Sequence, residues 1–166
     1  WTVVQQGMNG DKKQARRYHW HSQAVQDFVE EPHSAIDGPG QGEIVNLTDR
    51  RAATSRHGQL SLLAELGPDR IVGEFEALHG EGPVQGTLPH LIMPAHHDVR
   101  PKDVFARRLH GTLAAAAERG PVDFSELLLV PGVGARTVRS LAMVAEAGQG
   151  APFRFADPAR FSLAHG

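Results

Sequence analysis

The sequence predicts an α+β fold: an N-terminal β-hairpin or small sheet, then a mainly helical body that ends in a helix-hairpin-helix. Three observations carry this reading. Two strand-like runs, residues 2–8 (TVVQQGM) and 15–22 (ARRYHWHS), flank the turn signal Asn9-Gly10-Asp11. From Thr48 onward the apolar residues recur at helical spacing. The stretch Leu127–Ala142 (LLLVPGVGARTVRSLA) then joins two apolar helical patterns through Pro131-Gly132-Val133-Gly134.

Each element follows from local chemistry. The hairpin would display Arg17, His19 and His21 on one face and Arg16, Tyr18 and Trp20 on the other, because side chains alternate along a strand. Residues 27–33 (DFVEEPH) read as extended, and residues 37–42 (DGPGQG) as a loop. Thr48 or Asp49 would cap a helix reaching about Leu66, with Leu60, Leu63 and Leu66 along one side. Gly67-Pro68-Asp69 breaks it, and a short helix covers 69–78. Residues 80–94 are Gly- and Pro-rich and read as a long loop with one extended piece, Leu88–Met93. Residues 101–118 form a helix with Val104, Phe105, Leu109 and Leu113 as its stripe, ended by Gly120. Asp123 would N-cap the next helix, to Val130, and a further helix runs from about Ala135 to Glu146. Asp157-Pro158 reads as a helix start, with the aspartate as N-cap.

Composition narrows the function classes. The 166 residues carry a net charge of −2, so the chain as a whole is not a basic nucleic-acid binder. The charge is unevenly spread: residues 1–99 hold 8 Lys/Arg against 13 Asp/Glu, and residues 100–166 hold 9 against 6. That asymmetry suggests an N-terminal α+β portion, 1–99, and a basic helical portion, 100–166. No apolar run reaches the roughly 18 residues of a membrane span, and no leader pattern is present, so a cytoplasmic protein without a membrane partner is expected. With no cysteine and 10 histidines, any transition-metal site would use His with Asp or Glu.

The Gly132-Val133-Gly134 turn is the strongest functional signal. A tight turn feeding a helix N-terminus aims unpaired N–H groups and the positive dipole end the same way, which suits a phosphate. Val133 would plug the gap between the helices. Arg136 and Arg139 would flank the phosphate path, and Thr137 can donate a hydroxyl hydrogen bond. Such contacts hold a DNA backbone without reading sequence. The competing reading is an ordinary helical corner or a protein–protein module.

Other constellations are weaker by spacing alone. His96-His97-Asp98 follows Pro94 and could hold a divalent metal, Mn or Mg before Zn, that activates water for phosphodiester attack. Its competing reading is a capped helix start. Glu31 and His33 lie two positions apart and could chelate or act as acid and base. Arg16, Arg17, Tyr18, His19 and Trp20 mix cations with aromatics and suit phosphate contact plus base stacking. The competing reading puts Tyr18 and Trp20 in a core. His19 and Asp157 are further metal candidates, and Arg160 a further phosphate contact.

Taken in order, WTVVQQGMN, ARRYHW, FVEEPH, IVNLT, LIMPAHH, LLLVPGVGARTVRSLAMVAE and FADPARFSLAHG resemble the family catalogued as domain of unknown function 763, across nearly all of residues 1–166. The resemblance implies a DNA nuclease acting in genome maintenance or repair, with a homodimer, a DNA helicase or repair proteins as further partners. It also implies additional sequence on either side of this chain, which could complete a metal site. Two alternatives stay open. One is a non-catalytic DNA-binding module of a larger enzyme; the other is a metal-dependent phosphohydrolase of small molecules.

Overall fold

The computed structural model describes residues 1–9, 14–79 and 106–160. The chain divides into two compact units: Trp1–Arg50 with the chain from Arg154 onward, and Arg51–Phe153. The charge asymmetry had suggested a division at 99/100. The contacts divide it elsewhere because the helices from 53 to 79 pack on those after 106.

The first unit is built on strands. β1 (Thr2–Asn9) and β2 (Gln14–His21) form the expected antiparallel hairpin, with Thr2 opposite His21 and Asn9 opposite Gln14. A third strand, β3 (Ala35–Asp37), adds to β2 with Tyr18 opposite Ile36. β4 (Glu43–Val45) pairs antiparallel with β5 (Arg154–Ala156), placing Ile44 opposite Phe155, both buried. Neither β3 nor the β4–β5 pair was expected, because three-residue strands carry no usable alternation.

Residues 27–33 are not extended. The Asp27 carboxylate accepts the Glu30 N–H at 2.8 Å, and Glu31 takes a positive φ of 46°. A side chain that offers the backbone a local acceptor competes with strand pairing. The helix start at Asp157 is also absent: Asp157 Oδ1 accepts the Ala159 N–H, and Arg160 bridges to Asp37 beside β3.

The second unit is helical. A 3-10 turn (Arg50–Ala52) leads into α1 (Ala53–Glu65), followed by α2 (Gly67–His79), α3 (Ala106–Arg119), α4 (Phe124–Leu128) and α5 (Ala135–Gln149). Thr48 does not cap α1; its N–H and its hydroxyl both donate to Asn46 Oδ1 in a local turn. The buried side of α1 carries Leu62 and Leu63 but also Ser55, Arg56 and Gln59, so a stripe of Leu60, Leu63 and Leu66 only partly describes it. α1 and α2 pack on α5, and α2 packs on α3. Ile71, Leu113, Leu127, Leu141 and Phe153 are the large apolar side chains most completely withdrawn from solvent. The expected helix over 101–118 is present from Ala106; Val104 and Phe105 lie outside the described residues.

Leu141 is fully buried and Leu129 is 76% exposed. Leu141→Ala is expected to lower unfolding free energy by about 3 kcal/mol through lost burial and a cavity. Leu129→Ala should stay within about 0.5 kcal/mol of the parent. Urea denaturation followed by circular dichroism checks both.

Candidate functional site

The α4–α5 hairpin forms as its residues require. Asp123 N-caps α4, accepting the Glu126 N–H at 2.8 Å, while the Glu126 carboxylate reaches back to the Val122 N–H. The Val133 N–H donates to the Val130 carbonyl and closes the turn. Gly132 takes φ +88°, a left-handed conformation that L side chains rarely adopt, and lies against Thr112 of α3. Gly134 is the N-cap of α5 and supplies no side-chain hydrogen bond, and the first turn of α5 holds no acidic residue. Its N-terminus is therefore a positive dipole end that neither its own cap nor its first turn neutralises.

The side chains do not all behave as the spacing predicts. Gly132, Gly134 and Arg136 are exposed and Val133 is half-buried. Thr137 and Arg139 are only 6% and 7% exposed. These two face inward along α5, so they do not line a phosphate path; three and five positions on from Gly134, the helix has turned them toward the core. The accessible part of the hairpin ends at Arg136.

In the first unit, a cleft of 670 Å³ is lined by Glu31, His33, Asp37, Asn46, Thr48, Asp49 and Arg160, among others. Its size lies within the usual range for small-molecule sites. Glu31 and His33 do meet here, although not through an extended chain. The Glu31 carboxylate pairs with Arg50 at 3.0 Å. His33 packs against Trp20 and Tyr18, with ring centroids 4.8 and 5.4 Å away. Burial pushes the His33 imidazole below the ordinary histidine value, which keeps it neutral at pH 7. No sequence pattern could have identified Asp37, Asn46 or Asp49 as neighbours of this histidine, since they converge only through chain packing.

Arg16 and Asp157 were separate candidates, one for phosphate and one for metal. They bind each other. The Arg16 guanidinium forms an ion pair with both Asp157 oxygens and also donates to the Pro39 carbonyl at 2.8 Å. Asp157 further accepts the N–H groups of Gln41 and Ala159. Gly38 backs the pair: a Cβ there would stand 2.8 Å from Arg16 Cγ. The side chains are 11% and 2% exposed, so Arg16 is not a surface contact for DNA and Asp157 has no opening toward a metal. Burial works to raise the Asp157 carboxyl, but the hydrogen bonds from Arg16, Ala159 and Gln41 and the Arg16 charge outweigh it and hold it below the usual range.

His19 lies on the opposite face of β2, with Arg17, and Arg17 is exposed. His19 Nε2 approaches Asp37 Oδ2 to 2.9 Å without making a hydrogen bond there. His19 and Asp157 meet different partners, and among the described residues no three His, Asp or Glu side chains gather as a metal-binding group. His96, His97 and Asp98 lie outside the described residues. Among the described residues no helix is long and apolar enough to cross a membrane.

Asp157→Asn should destabilise the protein by about 3 kcal/mol at neutral pH, because a largely buried Arg16 loses its partner. The parent gains this stability fully above the unfolded carboxyl value of about 3.9 and loses it as pH falls through the lower folded value. The variant should lack this component of the acid pH dependence, as urea denaturation across an acid pH series will read. His33 should titrate below about 6.5 by NMR. Its contribution to stability is complete above that value and lost as pH falls toward the folded value, since the unfolded chain then binds the extra proton.

No curated protein and no solved structure matches this chain. The family model described as "Protein of unknown function (DUF763)" matches residues 1–166, and the chain belongs to that family.

Proposed function

We propose that this protein binds DNA through the phosphate backbone, at the α4–α5 hairpin, and that it acts as a metal-dependent DNA nuclease in repair or genome maintenance. One observation carries the binding part: the exposed Gly132–Arg136 turn opens a 15-residue helix that has no side-chain cap and no acidic residue in its first turn. Backbone N–H groups and Arg136 would hold phosphate oxygens there without reading base edges. Thr137 and Arg139 take no part, because they are buried.

The hydrolytic part is supported by the sequence chemistry of His96, His97 and Asp98. Two imidazoles and a carboxylate are the donor types that a divalent cation takes when it activates water. Glu31 and His33, which share a cleft within the first unit, are acid–base candidates in their own right, with His33 neutral and able to accept a proton.

Binding is tested by anisotropy of a fluorescein-labelled duplex across a salt series. Arg136→Ala should weaken binding at every sequence and reduce the salt slope by about 0.9. Arg139→Ala should instead lower the melting temperature. An unchanged affinity in Arg136→Ala would overturn the binding assignment. Hydrolysis is tested by nicking of supercoiled plasmid in Mn²⁺, Mg²⁺ or EDTA, with the parent and the His96→Ala/His97→Ala double variant. Metal-dependent nicking lost in a folded double variant supports the nuclease. Binding without nicking leaves a DNA-holding module.

A further inference from the structure

The face of α3 that meets the hairpin carries a cation with no role so far. Gly132 packs on Thr112, and a Cβ at Gly132 would lie 3.5 Å from Thr112 Oγ1. The Thr112 hydroxyl donates to the Arg108 carbonyl one helical turn back, at 3.0 Å. Residues four apart on a helix share a face, separated by about 6 Å along the axis. Arg108 is exposed and shares the side of α3 that carries Thr112, the residue lying against Gly132.

Its neighbour Arg107 is equally exposed but faces elsewhere. At about 100° per residue, Arg107 falls roughly 140° around the helix from Thr112, whereas Arg108 falls only about 40° from it. Arg107 points away from the buried stripe of Leu109, Leu113 and Ala116. It lies nearer to His110, whose ring pairs with Asp69 of α2 at 2.9 Å. The two arginines are adjacent in sequence and equal in charge, yet only Arg108 shares the Thr112 side of the helix.

We propose that Arg108 is a second phosphate-binding residue of the hairpin, holding a backbone phosphate next to the one taken by the Gly132–Arg136 turn, and that Arg107 is not. The proposal rests on the DNA-binding reading above. It enlarges the clamp from a single turn to a surface shared by α3 and α5, so that one strand is held at two points. Two points of contact orient the strand as well as retain it, which a lone helix end does not do.

The experiment is the same anisotropy titration, run on the 166-residue chain with Arg107→Ala, Arg108→Ala and Arg136→Ala, each checked for an unchanged melting temperature. Each lost phosphate contact lowers the magnitude of the log–log salt slope by about 0.9 on duplex DNA. Arg108→Ala should lose that increment and weaken binding on every sequence, whereas Arg107→Ala should match the parent. If Arg136→Ala weakens binding while Arg108→Ala matches the parent, the α3 contact is wrong and the hairpin assignment stands. Equal losses in Arg107→Ala and Arg108→Ala also overturn it, since they would report net charge and not a site. If Arg136→Ala and Arg108→Ala both match the parent, the DNA-binding reading fails and takes this proposal with it.

Discussion

The burial of α5 is the constraint on which the helical unit depends. From Thr137 to Ala145 every residue of this helix is buried, so no side of that stretch is left to solvent. A helix enclosed on all sides normally carries apolar residues throughout. This one also encloses Thr137, Arg139 and Ser140, and Ser140 returns its hydroxyl to the Arg136 carbonyl at 3.0 Å. Because a helix enclosed on every side cannot rotate without breaking the packing around Leu141 and Arg139, the direction of its N-terminus is set by the core. The hairpin turn can therefore be short and exposed and still hold one orientation. Such support from packed elements is what a binding site needs for precision.

In the strand-built unit the corresponding constraint is the pairing of Arg16 with Asp157. It joins β2 to the segment after β5, residues 141 positions apart in the chain. A buried ion pair is a weak source of net stability, but losing one partner is costly, since it leaves a charge unpaired away from water. Gly38, Pro39, Gln41 and Ala159 all supply backbone to this pair. The same pairing positions Arg160 beside Asp37 at the edge of the cleft. Thus the ionisable residues that would suggest chemistry in isolation are here partly occupied in closing the fold.

Much of the architecture was legible in the residues. The hairpin, the helices after Thr48, the Asp123 cap and the glycine turn each rest on signals spanning a few positions: alternation, a capping aspartate, a glycine at positive φ. What was not legible shares a different property. β3, β4 and β5 are too short to show a period, and they exist because a partner strand lies beside them. Residues 27–33 carry a strand-like composition, but the Asp27 side chain diverts the backbone into a turn. Asp157-Pro158 has the sequence of a helix start, yet its carboxylate is claimed by Arg16, Gln41 and Ala159.

The candidate site divides along the same line. The sequence by itself determined the α+β class, the place of the hairpin and the identity of its exposed turn, because turn geometry and capping are decided within a few bonds. Tertiary structure alone decided that Arg139 and Thr137 face inward, that Arg16 meets Asp157, that Glu31 and His33 share a cleft with Asp37 and Asp49, and that Thr112 of α3 lies against Gly132. Which residue a charged side chain meets depends on the packing of elements distant in the chain, and no local pattern encodes that distance.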